Sequence, residues 1–199
     1  MGAKKIILFI EGEPNSPNGD LRMGYSKLLS QKLKGKMPKI IMGGGFSQGG
    51  KNQTIHKFKT HKLNSDLTLL LVDLDKPENE RENDLRQESL LENKENVFYM
   101  IQELESWFLS QPEMLDKFYG KDNQHKKISD KIPRKKAIEI AKPDEVLMRI
   151  TKNTKKGTYH KIKHAVDLLR LLDANKLEVE FSDFKKLIER IKCVTYYCQ

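Results

Sequence analysis

Leu69-Leu70-Leu71-Val72-Asp73-Leu74-Asp75 is an apolar run that stops on two carboxylates separated by one residue. A run of this length without polar alternation reads as a strand buried on both faces, as a parallel sheet requires. Open α/β sheets bind their ligands in the crevice beyond the carboxyl ends of the strands, so Asp73 and Asp75 stand where chemistry is expected. Alternate side chains of an extended segment point the same way, and a divalent cation would remove the repulsion between two such acids. Mg²⁺ suits a hard-oxygen site of this kind. Taken alone, the simpler reading is the better one: a strand followed by an acidic turn that Lys76-Pro77 begins.

The start of the chain changes that balance. Lys4-Lys5-Ile6-Ile7-Leu8-Phe9-Ile10 is a second strand of the buried type, and it too ends on acid, in Glu11-Gly12-Glu13. If the two strands are parallel neighbours, three or four carboxylates meet. A strand ending in Glu-Gly, then a helix, then a later strand ending in Asp-x-Asp resembles the Toprim domain, over roughly the first half of the chain.

The 199 residues suit one domain, or one with a helical appendage, and are enough for a substantial core. No stretch approaches the length of a membrane span and the amino terminus lacks the layout of a signal peptide, which predicts a cytoplasmic protein. Cys193 and Cys198 have no second pair with which to complete a zinc site and read as free, reduced thiols. The net charge of +9 is uneven: residues 1–110 carry 16 basic and 15 acidic side chains, residues 111–199 carry 21 and 13. Such asymmetry favours a polyanionic partner, although many lysine-rich proteins are simply well solvated.

After the first strand, Pro14 to Gly19 reads as a loop. Asp20 reads as the cap of a helix carrying Leu21, Tyr25, Leu28, Leu29 and Leu33 at helical spacing. Lys39-Ile40-Ile41-Met42 is a short strand. It runs into the glycine-rich segment 43–50, either a phosphate cradle or a mobile loop beside the site, since neither nucleotide-binding glycine fingerprint is matched. Residues 51–62 form a predicted helix without acids, whose Lys51, Lys57, Lys59 and Lys62 either contact a nucleic-acid backbone or are an ordinary solvated face.

Pro77 to Asn96 reads as a charged surface crossover with Leu85, Leu90 and Leu91 inward, and Val97 to Ile101 as a fourth strand. Glu103 and Glu105 follow it. They share a face if the strand continues, diverge if a helix has begun, and as helix-terminal charge need no ligand at all. Trp107 and Phe108 read as core.

The order of elements predicts an α/β fold: a mostly parallel, Rossmann-like sheet of about four strands with helices on both faces, over residues 1–111. A basic, mainly helical extension, 112–199, packs on it. Within it, 112–131 reads as a polar excursion or loop, Pro133 to Ala141 and Pro143 to about Lys152 as helices, and 154–158 as a basic turn. Tyr159 to Leu172 reads as an amphipathic helix, and Ser182 as the cap of a last one with Phe184, Leu187, Ile188 and Ile191 inside.

The runs Glu103-Leu104-Glu105-Ser106-Trp107, Tyr159-His160-Lys161-Ile162-Lys163-His164-Ala165 and Ser182-Asp183-Phe184-Lys185-Lys186-Leu187 extend the resemblance over most of the chain. Together they are similar to an uncharacterised Toprim-like family found beside ABC-type ATPases in bacterial defence systems. The resemblance implies that Glu11, Asp73 and Asp75 hold metal, with Glu105 and Glu103 as the further acids of two-metal nucleases. It implies that Lys161 and His164 are basic positions near a scissile phosphate; a helix face packed on the sheet accounts for them as well. Lys155 and Lys156 add basic charge beside them.

The resulting expectation is a Mg²⁺-dependent nuclease, with Mn²⁺ as substitute, cleaving phosphodiesters of DNA, transfer RNA or other RNA. Its catalytic residues would be Glu11, Asp73, Asp75 and Lys161. Its setting would be anti-phage defence or a toxin-like system with an ABC-type ATPase as partner. No motif places a topoisomerase tyrosine or primase elements. Two other classes remain: a non-catalytic module that binds nucleic acid or the ATPase, and a phosphatase of the haloacid-dehalogenase type with Asp73 as nucleophile. The latter's motif normally closes the first strand, not the third.

Overall fold

A computed structural model describes residues 5–12, 21–35, 37–44, 50–61 and 67–196, for 195 and 196 the backbone only. Glu13, the Pro14 to Gly19 loop, the Asp20 cap, glycine-rich residues 45–49, Lys62 and Cys198 lie outside them. Four strands, β1 (Ile6–Ile10), β2 (Lys39–Met42), β3 (Leu67–Asp73) and β4 (Val97–Met100), form one sheet in the order β2-β1-β3-β4, and every neighbouring pair is parallel. This is the α/β architecture that the apolar runs predict. Because the strands are covered on both sides, their side chains divide between two cores. Ile6, Leu8, Ile10, Leu69 and Leu71 face one; Ile7, Phe9, Leu70 and Val72 face the other.

Parallel neighbours need crossovers, and helices supply them. α1 (Leu21–Ser30) lays Leu21, Tyr25, Leu28 and Leu29 on the first face. α2 (Gly50–Thr60) and α3 (Arg81–Gln87) cover the second with Ile55, Phe58 and Leu85. Short 3₁₀ turns at Glu78–Glu80 and Leu91–Asn96 flank α3. From β1 the chain moves outward to β2, then crosses back to β3 on the other side of β1. The carboxyl ends of β1 and β3 therefore flank the point where the strand order reverses.

After β4 come α4 (Leu104–Leu109), α5 (Pro112–Tyr119), α6 (Pro143–Thr151), α7 (Lys161–Leu171), α8 (Ala174–Glu180) and α9 (Ser182–Tyr196). α7 lies against α1 so closely that a Cβ on Gly24 would sit 2.8 Å from Leu169. Trp107 is fully buried, its ring 6.2 Å from Phe181 and 5.2 Å from Phe184. α9 is pinned to β4 by Asp183, which accepts the Tyr99 N–H at 2.9 Å. One apolar cluster thus runs from Ile6 to Ile191 and includes both sides of the boundary expected at 111. Among the described residues, no helix is long and apolar enough to cross a membrane.

Several expectations are corrected. Residues 112–131 are not a mere excursion: Pro112 opens α5, which buries Met114, Leu115 and Tyr119, and Ile128 is wholly enclosed. Four apolar residues, Met114, Leu115, Phe118 and Tyr119, are enough for a short amphipathic helix. Residues 133–141 hold only a 3₁₀ turn at Ala137–Glu139, because Arg134-Lys135-Lys136 offers no apolar stripe and the Ala137 N–H is taken by Glu180 at 2.7 Å. Ser182 does not cap α9. Its hydroxyl donates to Glu78, and the Phe181 carbonyl accepts from the Lys185 N–H. Leu91 is 39% exposed, not an inner contact. β3 ends at Asp73, and Asp75 follows with a left-handed φ of 52°, so strand alternation does not relate the two acids.

Candidate functional site

β1 leaves the sheet on Glu11-Gly12. The Glu11 N–H still donates to the Leu71 carbonyl at 3.0 Å, one residue beyond the strand. Gly12 then takes φ 136°, and a Cβ there would meet Leu21 Cδ1 and Met42 Cε at 2.9 Å each, so only glycine lets the chain turn away here. The Glu11 side chain folds across to β3, where its Oε2 accepts the Asp73 N–H at 3.1 Å.

Asp73 is buried at the end of β3 and points at the start of α4. Its Oδ1 accepts the Leu104 N–H at 2.9 Å, capping a helix terminus from a distant strand. Its Oδ2 lies 3.5 Å from Lys161 Nζ in the first turn of α7. Gln102, buried and at φ 68°, bends the chain between β4 and α4 and so aims the acids that follow. A helix has begun by Glu105, so the two glutamates diverge. Glu105 is fully enclosed; its Oε1 accepts the Tyr159 hydroxyl at 2.6 Å and stands 3.7 Å from Lys161 Nζ. Its Oε2 is buried without a hydrogen-bond partner. Tyr159 is itself held by its N–H, which donates to Thr151 Oγ1 at 2.7 Å. Glu103 lines a cleft of about 250 Å³ with Glu105, Asp144, Met148, His160 and Lys161.

Crowding of acids in a dry pocket disfavours their charged forms. Burial, then the Asp73 carboxylate, push Glu11 up to about 8. Burial, then Glu105 and Asp144, push Glu103 up to about 8 as well. Glu105 is raised by burial, with Lys161 acting against the rise. Asp75, exposed as a residue, is raised by partial desolvation of its carboxyl and by Asp73, while Lys51 and Lys161 oppose this. Burial works against the charge of Lys161, but Asp73 and Glu105 outweigh it and hold the ammonium protonated. Glu11, Asp73, Glu105 and Lys161 thus form one cluster drawn from β1, β3, α4 and α7, with Asp75 and Glu103 at its edges.

Among the described residues, no three His, Cys, Asp or Glu side chains stand ready to hold an ion as they are arranged: Glu11 and Asp73 are turned onto amides. The chemistry of the donors nevertheless fits a hard divalent cation, being all carboxylate oxygen, and Glu105 Oε2 is a buried acceptor with nothing to accept from.

The basic residues separate. Lys51 makes two contacts to Asp84, at 3.0 and 3.1 Å, and Asp84 also accepts the Tyr99 hydroxyl at 2.8 Å, so Lys51 buttresses the edge of the site and is not an open phosphate contact. The Lys59 ammonium donates to the Glu88 carbonyl, whereas Lys57 is exposed. Lys155 and Lys156 are exposed, and Lys156 lies over the Phe118 ring at 4.1 Å. One helical turn puts Lys161 in the cluster but His164 among Phe118, Tyr119 and Tyr159. There its Nδ1 lies 3.0 Å from the Tyr119 hydroxyl and 3.3 Å from the His160 N–H, and burial, then nearby lysines, lower its pKa, so it packs among the rings outside the cluster. Tyr159 and Asp144 carry no sequence signal of their own; they become visible only through contact with Glu105 and Glu103.

The molecule is a parallel α/β protein with a lysine-bridged acidic pocket at its switch point. The model for a domain of unknown function (DUF4276) matches residues 17–192, and the chain belongs to that family. No curated protein and no solved structure matches it. Asp73, Glu105 and Lys161 fall within the matched stretch, and Glu11 lies ahead of it.

Proposed function

We propose that this chain is a Mg²⁺-dependent nuclease of the Toprim kind, cleaving phosphodiester bonds of DNA or RNA in the cytoplasm, as the effector of a defence system with an ABC-type ATPase. The observation that carries the reading is the meeting of Glu11 and Asp73, 62 residues apart, at the carboxyl ends of adjacent strands beside Glu105 and Lys161. Glu11, Asp73 and Asp75 would hold Mg²⁺, with Glu105 and Glu103 as further acids. Bound there, it would lower the pKa of a water and offset charge on the phosphate. Lys161, kept protonated by Asp73 and Glu105, presents its ammonium to a phosphate oxygen. Glu11 would either ligate the metal or move the proton of the attacking water. Tyr159 and the Leu104 amide hold the acids in place.

Incubation of the purified chain with mixed DNA and RNA under Mg²⁺ or Mn²⁺, with and without EDTA, tests this. Cleavage should require the metal and disappear in Asp73→Asn and Glu11→Gln, both of which should retain the circular dichroism of the parent. Undiminished cleavage by either variant would end the nuclease reading.

A second reading rests on Lys161 itself. It already balances two buried acids, as a structural ion cluster in a non-catalytic nucleic-acid or ATPase-binding module would require. Titration with Mn²⁺ separates the two: saturable binding lost in Asp73→Asn favours catalysis, and no binding favours the module. The phosphatase is the weakest reading, since both oxygens of Asp73 are already engaged.

A further inference from the structure

Residues 120–127 and 152–157 are two loops tied into one lobe. The Asn123 N–H donates to the Asn153 carbonyl at 2.9 Å, and Asp122 pairs antiparallel with Thr154. Asp122 also gives the first loop its shape. Its buried carboxylate accepts the N–H groups of Gln124 and Lys126 at 2.8 Å each and binds Lys131 at 2.6 Å. It is the only acid in either loop, and it is turned inward. Lys121, Lys126, Lys127, Lys152, Lys155 and Lys156 are all exposed, Lys156 over the Phe118 ring.

Six like charges on a braced scaffold, with the one local acid consumed internally, create a positive surface whose complement must come from outside. Every exposed side chain at 121–127 is polar or basic, which leaves no apolar anchor for a lipid surface. Asn123 and Asn153 add neutral donors of the kind that grip phosphate and sugar. The lobe also leads to the acidic cleft. Lys156 covers Phe118, Phe118 meets His164, and His160 on the same stretch lines the cleft beside Lys161.

We propose that these paired loops are a platform for the phosphate backbone of a nucleic acid and deliver the strand to the carboxylate cleft. What happens at the cleft rests on the nuclease reading; binding to the platform needs neither metal nor turnover.

The test is fluorescence anisotropy of the full chain in EDTA, with labelled single-stranded DNA and RNA oligonucleotides, over a range of salt. Lys121→Gln/Lys126→Gln/Lys127→Gln should weaken binding roughly tenfold or more and reduce the slope of log K against log salt by about 2, at ~0.7 per phosphate contact on a single strand. A control with equal loss of charge, Lys27→Gln/Lys34→Gln/Lys185→Gln, should keep the parent slope. All six positions are exposed, so both variants should fold, which thermal melts check. Equal slopes in parent and platform variant, equal losses in both variants, no binding of either probe by the parent, or tighter binding to anionic phospholipid vesicles would each overturn the proposal. Failure of the nuclease reading looks different: binding that depends on the platform, without cleavage when Mg²⁺ is added.

Discussion

The main-chain N–H of Asp73 donates to Oε2 of Glu11 at 3.1 Å, so the acid that closes β1 is latched to the acid that closes β3. Both sit where the strand order reverses, and Lys161 reaches the same spot from α7. The arrangement is a compromise between carboxylates that repel and a fold that holds them together.

That compromise gives a pH signature. Folded Glu11 and Glu103 keep their protons up to about 8, whereas the unfolded chain releases them near 4.5. Between those values the unfolded state binds fewer protons, so the metal-free fold loses stability as pH rises and levels off above about 8. Thermal melts in EDTA should therefore show Glu11→Gln gaining on the parent as pH increases. A difference that stays constant with pH refutes the assignment. Mn²⁺ binding, which must displace these protons, should tighten over the same range.

Removing the internal cation should cost stability. Lys161→Met leaves Asp73 and Glu105 without a balancing charge, but 35% of the lysine side chain is open to solvent. The expected loss is about 1–3 kcal/mol, below that of a fully enclosed pair. Urea unfolding measures it, and an unchanged midpoint would show that the acids need no partner.

Gly12→Ala should destabilise by about 1–3 kcal/mol, because it places a side chain at positive φ and against Leu21 and Met42. The variant should also lose Mn²⁺ affinity, since the turn that positions Glu11 must shift. Parental stability and affinity together would mean that the turn is not constrained.

Tyr159→Phe deletes the hydroxyl bonded to Glu105 Oε1, in an enclosed carboxyl whose Oε2 is already without a partner. A loss of about 1–3 kcal/mol is expected, readable as a lowered urea midpoint. If Phe is tolerated without cost, Glu105 is satisfied by another route.

The sheet was legible because its strands are short apolar runs, two of which, β1 and β3, end on acid, a pattern that needs no tertiary information. Glu11 and Asp73 were legible for the same reason, since adjacent parallel strands bring their ends together. Asp75 was misplaced because two residues beyond the end of β3 the alternation rule no longer holds, as its φ of 52° attests. α5 was hidden because its four apolar residues sit in a polar, lysine-containing stretch, and 133–141 looked helical only because Pro133 opens it. His164 was misread because sequence spacing shows which residues share a helical side but not what faces it; here that is a group of aromatic rings. The partnership of Tyr159 with Glu105 spans 54 residues and has no local trace.

One of the two apolar clusters runs from the first strand to the last helix, across position 111. A shortened version ending near position 111 would keep the three inner acids yet forfeit both Lys161 and Tyr159, the groups that make their confinement tolerable. The amino-terminal sheet and carboxyl-terminal helices thus complete a single pocket between them.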